Sequence, residues 1–245
     1  MQGLEIARRY YETYGVPLLR EQFPELLPYL AVGLFGSGSE CFGYDDDVSR
    51  DHDFEPGFCL FLPGEDVVDR RAEFQLERAY AKLPKEFMGL RRGLLQPVGG
   101  ARRGVLRTET FFRERTGSPD GRLGLAEWLA LPSHALSECV NGEVFLDGYG
   151  EVTAIRERLR FYPEDVRLKK LAGSLLIMAQ AGQYNYDRCL RHGEPAAAQL
   201  AVAAFVEHCM RALFLLNRVY EPYYKWSFRA LRSLPTLSIE AELLE

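Results

Sequence analysis

Apolar and polar positions along this chain follow two different periods, and the place where one gives way to the other divides the sequence. Over residues 3–13 the apolar side chains Leu4, Ile6, Ala7, Tyr10 and Tyr11 fall near helical spacing with charges between them. That predicts a helix ended by Gly15-Val16-Pro17. A short second helix over 18–27 leads into an apolar run from Tyr29 to Phe35, expected to be a strand. The run Phe58-Cys59-Leu60-Phe61-Leu62 is continuously apolar, the pattern of a strand buried on both faces, and Pro56-Gly57 separates it from a strand piece opening at Asp51. A helix is expected over 66–83, with Val67, Val68, Phe74, Ala79 and Tyr80 inward and Pro84 as its stop. Next come a glycine- and arginine-rich loop over 89–104, a short strand over 105–107, and a helix from the cap residue Thr108 through Arg115. Short helices over 125–131 and after Pro132 precede a strand and turn over 142–148. After Gly150 every apolar segment has helical period, which predicts helices over 151–161, 163–181, 184–191, 194–219 and 223–231. An α/β domain over 1–155 followed by a helical bundle over 156–245 is the organisation expected.

Composition narrows the class. At 245 residues the chain can bury a real core in one large or two modest domains. With 35 acidic against 30 basic residues the net charge is -5, so nothing global attracts nucleic acid or an anionic membrane. The cysteines Cys41, Cys59, Cys139, Cys189 and Cys209 show neither C-x-x-C nor metal-ligand spacing, which favours a reducing, cytoplasmic setting. No uninterrupted apolar run approaches the roughly 18 residues of a membrane span, and the N-terminus carries charges where a signal peptide is apolar.

The chemistry concentrates in the stretch from Gly33 to Asp53. On a strand, Asp51 and Asp53 point to one face and His52 to the other. Two carboxylates aimed at one spot repel each other unless a cation lies between them, and hard oxygen donors suit magnesium bound with a substrate's phosphates. Several familiar patterns do not apply. Gly36-Ser37-Gly38-Ser39-Glu40 lacks the lysine of a P-loop, and Cys41 stands where a dinucleotide fingerprint has its last glycine. A calcium loop starting at Asp45 would carry Arg50 in place of its glycine and Pro56 in place of its bidentate glutamate.

A Gly-Ser turn after a strand, followed by Asp-x-Asp on the next, resembles the nucleotidyltransferase superfamily that shares the DNA polymerase beta palm. The matching residues are Gly36, Ser37, Asp51 and Asp53. More narrowly, GSGSE, GYDDDVSRDHDFEP, MAQAGQYNYDR and YEPYYKWSFRAL are similar to a bacterial nucleotidyltransferase-like family still labelled a domain of unknown function, whose helical part is similar to that of aminoglycoside nucleotidyltransferases. The resemblance implies an α+β fold, a palm-like mixed sheet with flanking helices and then a helical bundle. It implies transfer of a nucleoside monophosphate from a nucleoside triphosphate, ATP among the four, to a hydroxyl acceptor, with one or two Mg2+ ions on Asp51 and Asp53. Gly36, Ser37, Ser39 and Arg50 would contact the triphosphate, and Lys225 is a further candidate contact. The superfamily's third catalytic carboxylate maps to Asp147, with Glu143 and Glu109 as alternatives. A homodimer is compatible with this picture, as is a degenerate nucleotide-binding or antitoxin-like module. Arg188-x-x-x-His192 is too tightly spaced for the ribonuclease motif of some helical partner domains. The Arg91, Arg92, Arg102 and Arg103 cluster is expected as an exposed loop.

Overall fold

The two apolar runs of the first sixty-odd residues lie side by side in the computed structural model, which describes residues 2–47, 55–92 and 103–245. Ala31–Leu34 (β1) pairs antiparallel with Cys59–Leu62 (β2), Gly33 opposite Cys59. A two-residue hairpin of Glu86–Phe87 (β3) and Leu90–Arg91 (β4) stands apart from this sheet. Gly104–Arg107 (β5) joins β2 in parallel, and Glu143–Asp147 (β6) closes the other edge antiparallel to β1, giving the order β5-β2-β1-β6. One end of this mixed sheet therefore collects the end of β1 and the starts of β2, β5 and β6. The fold is α+β.

Both faces of the sheet are covered, as the FCLFL pattern requires. Val32, Leu60 and Leu62 face a core with Tyr10, Leu19 and Leu76. On the opposite face Phe61 stacks on Phe35 at 4.5 Å between centroids, and Phe111 meets both rings edge-on. The parallel β2–β5 pair needs a crossover, which contains the helix Arg70–Ala81.

Chain order shows where the periodicity misleads. The helix Gly3–Tyr10 (α1) is not stopped at Gly15-Val16-Pro17: a π turn, Tyr11–Gly15, carries it into Val16–Gln22 (α2). Pro17 stands in the first turn of α2, directly after that wider turn. Gly15 is required there, since a Cβ would lie 2.5 Å from the Tyr11 ring and 2.7 Å from that of Phe58. After β1 comes the short helix Ser39–Phe42 (α3). The crossover helix Arg70–Ala81 (α4) is capped by Asp69, which accepts from the Ala72 amide. It buries Leu76, Ala79 and Tyr80, while Phe74, expected inward, lies off that stripe and is 57% exposed.

The expected loop over 89–104 is replaced at its start by the β3–β4 turn, with Met88 and Gly89 at φ of 51° and 78°. Arg92 turns inward to donate to the Tyr80 and Ala81 carbonyls at the end of α4, and Arg103 is buried; neither belongs to an exposed loop. Arg102 lies outside the described residues. After β5 come Thr108–Thr116 (α5), Leu125–Ala130 (α6), Ser133–Val140 (α7), β6 and Glu151–Arg158 (α8).

The described chain divides into two units, Met1–Arg122 with Ala135–Arg160, and Leu123–His134 with Phe161–Glu245. The second contains α6, Glu164–Met178 (α9), Tyr186–Arg191 (α10), Pro195–Asn217 (α11), Ser227–Leu231 (α12) and Glu240–Leu244 (α13). The helices expected over 163–181 and 184–191 are joined by a π turn, Ala179–Asn185. Trp128 of α6 meets the Tyr162 ring, which in turn packs edge-on to Tyr220 at 4.9 Å. The buried face of α11 runs through Ala198, Ala201, Met210 and Leu213, whereas Leu200 is 73% exposed. By length and composition α11 is also apolar enough to cross a membrane, with 33% of its most apolar window buried.

Candidate functional site

At the end of β1 the chain leaves the sheet through Phe35-Gly36-Ser37-Gly38-Ser39. Gly36 and Gly38 take φ of +117° and +127°, which L side chains rarely adopt. Asn141 holds this loop by a reciprocal pair: the Gly36 amide donates to Oδ1 and Nδ2 donates to the Gly36 carbonyl, each at 2.8 Å. Asn141 is itself fixed by Arg156, which donates to the carbonyls of Cys139, Val140 and Asn141 and lies 4.6 Å over the Phe35 ring. Burial lowers the Arg156 pKa. The Gly36 N–H is thus taken, whereas the amides of Ser37, Gly38 and Ser39 have no acceptor among the described residues.

Charges flank the loop. Glu40 and Arg103 form a buried ion pair at 2.9 Å, and Glu55 stands 3.7 Å from the other guanidinium nitrogen. Gly57 makes room for this arginine, since a Cβ there would lie 2.6 Å from Arg103 Cδ. Arg115 sits 3.7 Å over the Phe111 ring and 3.3 Å from Glu138, with its guanidinium beside Gly36. Burial pushes the nearby thiols far from any nucleophilic role: Cys41 well above the ordinary value, Cys59 and Cys139 to about 12.

The strand register sorts the three candidate third acids. Glu143 lies opposite Leu34, at the sheet end that carries the glycine loop, and is ion-paired with Arg8. Asp147 lies opposite Ala31, at the other end of β1. Both its oxygens accept backbone amides at the start of α8, Gly150 at 2.8 Å and Thr153 at 2.7 Å, so it acts as a helix cap distant along the strand from Gly36. Glu109 follows Arg107, whose partner Leu62 marks the same far end, and it pairs with Arg113. Asp147 was expected as the catalytic acid; the register brings Glu143 to the loop instead.

Arg50, Asp51 and Asp53 lie outside the described residues. Ser37 and Ser39 are half-buried in the loop. Lys225 belongs to the second unit, where its Nζ lies 5.1 Å from the Trp226 ring centroid. Among the described residues no three His, Cys, Asp or Glu side chains cluster as metal ligands. Asn141, Arg156, Glu40 and Arg103 are the residues that sequence periodicity missed. The loop–Asn141 contact spans 105 positions, and only the glycine pattern hinted at one partner.

A family model for a domain of unknown function (DUF4037) matches residues 128–227. No curated protein and no solved structure matches the chain.

Proposed function

We propose that the chain is a metal-dependent nucleotidyltransferase of the polymerase beta palm type, moving a nucleoside monophosphate from a nucleoside triphosphate to a hydroxyl acceptor and releasing pyrophosphate. The observation that carries this is the loop after β1. Three consecutive amides, of Ser37, Gly38 and Ser39, lack an acceptor among the described residues, at the sheet end where β2 begins six residues after Asp53 in sequence. Glycine at 36 and 38 lets a phosphate approach the backbone closely, and successive free N–H groups suit its oxygens.

The donors Asp51, Asp53 and Glu143 are carboxylates only, the set that fits a hard cation such as Mg2+. When bound there, the metal would offset the charge of the triphosphate and of the attacking oxygen. The chain's own task is positioning: the loop amides hold phosphate oxygens, Asn141 and Arg156 keep the loop in shape, and the attack exchanges one P–O bond for another. Glu143 must leave Arg8 to take part. That ion pair is the observation favouring a second reading, a module that binds nucleotide without transferring it.

Asp51→Asn and Asp53→Asn are expected to lower pyrophosphate release by about a hundredfold or more while leaving the circular dichroism spectrum unchanged. The assay uses all four nucleoside triphosphates with a mixture of hydroxyl acceptors. Undiminished release in both variants would overturn the proposal. Binding of Mg-nucleotide with no pyrophosphate from the unaltered chain over that acceptor mixture would establish the second reading.

A further inference from the structure

The second unit contains a cavity of about 680 Å³, walled by residues 129–134, by Tyr162, by α9 and α11, and by 219–224. That volume suits a drug-sized molecule rather than a water or two. Leu131, Ile177, Met210 and Phe214 make much of the wall apolar, and Tyr162 and Tyr223 present aromatic rings.

Two features indicate that the space is kept for an occupant. Gly173 lines it from the middle of α9, where glycine weakens a helix relative to alanine. A Cβ at this position would meet no atom within 4 Å, so no neighbour in the protein needs the room. The second feature is Glu221, whose side chain is only 15% exposed. Its Oε1 accepts from Ser227 Oγ at 3.1 Å, while its Oε2 is 3.8 Å from Arg211 Nε, beyond hydrogen-bond distance. A carboxylate offers about four acceptor positions, and among the described residues Glu221 fills one. Burial accordingly raises its pKa.

The wall's cations are already occupied. Arg211 is turned to Glu207, and Lys170 donates to the Leu129 carbonyl at 2.9 Å with its Nζ 5.1 Å from the Tyr162 ring centroid. At Glu221 the deficit is one of donors, and the Nδ1 of His208, on the same wall, is buried with no partner among the described residues. A ligand that meets the deficit at Glu221 carries N–H groups, preferably charged, because a cation both donates to the carboxylate and is attracted by the aromatic faces.

We propose that this cavity binds an organic cation, a primary or secondary ammonium on an aromatic or branched apolar body, with the ammonium donating to Glu221 and the body against the apolar wall. This assignment concerns the second unit alone and does not depend on the transfer chemistry proposed for the first.

Calorimetric titration of the full chain with 2-phenylethylamine, 2-phenylethanol and phenylacetate keeps the ring and varies the head group. The amine is expected to bind saturably, one per chain, and about tenfold or more tightly than the alcohol. Glu221→Gln should weaken the amine by about tenfold and leave the alcohol within about twofold. Gly173→Leu, whose Cβ meets no atom within 4 Å and whose side chain takes up space at the wall, should abolish binding of both. Because Gly173→Leu favours the helix, it answers the question even if Glu221→Gln fails to fold. Absence of saturable amine binding, equal or tighter binding of phenylacetate, or amine binding that survives Gly173→Leu overturns the proposal.

Discussion

Arg103 shows what a single buried charge does in the first unit. It holds Glu40 at 2.9 Å, with Glu55 at 3.7 Å, and Gly57 has no side chain so that its stem can pass. Arg103→Met strands the Glu40 carboxylate, and urea unfolding should show a loss of about 3–5 kcal/mol. Adding Glu40→Leu should recover most of that loss, because the cost lies in the orphaned charge rather than in the missing attraction. The sequence offers no sign of this pair. Local composition groups Arg103 with Arg91, Arg92 and Arg102 as an exposed basic loop, while its partner stands 63 positions away. Asn141 is hidden for the same reason. By contrast, Gly36 and Gly38 were legible, because a left-handed backbone demands glycine locally.

Among the elements, the turn between α7 and β6 governs the loop after β1. Gly142 has φ of +57°, and a Cβ there would lie 2.1 Å from the Leu34 carbonyl oxygen. Gly142→Ala is therefore expected to destabilise the chain by about 1–3 kcal/mol, read by chemical denaturation, and to weaken the triphosphate binding proposed above by shifting the neighbouring Asn141. Elements of this kind divide cleanly in how they announce themselves. The β2 run follows from its unbroken apolarity, which a strand covered on both faces requires, and the amphipathic helices from apolar side chains three and four apart. The two π turns do not, because a wider turn lets a helix survive a glycine or proline that would otherwise end it. Phe74 is expected inward, yet the stripe formed by Leu76, Ala79 and Tyr80 leaves it outside. Strand order was equally out of reach. Nothing local says that β6 lies on β1, and so nothing local prefers Glu143 to Asp147.

For the whole molecule, the cysteines report on each unit separately. Cys41, Cys59 and Cys139 are buried in the first, with thiols made less acidic by burial, while Cys189 and Cys209 are half-buried in the second. At neutral pH an aromatic disulfide reagent should label Cys189 first, Cys209, whose thiol burial also makes less acidic, more slowly, and the other three only as the first unit unfolds. Peptide mass spectrometry across a urea series would read the two stabilities apart. The division of the chain has a further consequence in the order of synthesis. Because Leu123–His134 belongs to the second unit and Ala135–Arg160, with β6, follows it in the chain, the first unit is not finished when residue 122 has been made. The clamp on Gly36 arrives 105 residues after the loop it shapes. A nascent chain short of Asn141 carries the glycine loop without its clamp, and any chemistry that depends on that loop begins only once synthesis has passed Asn141.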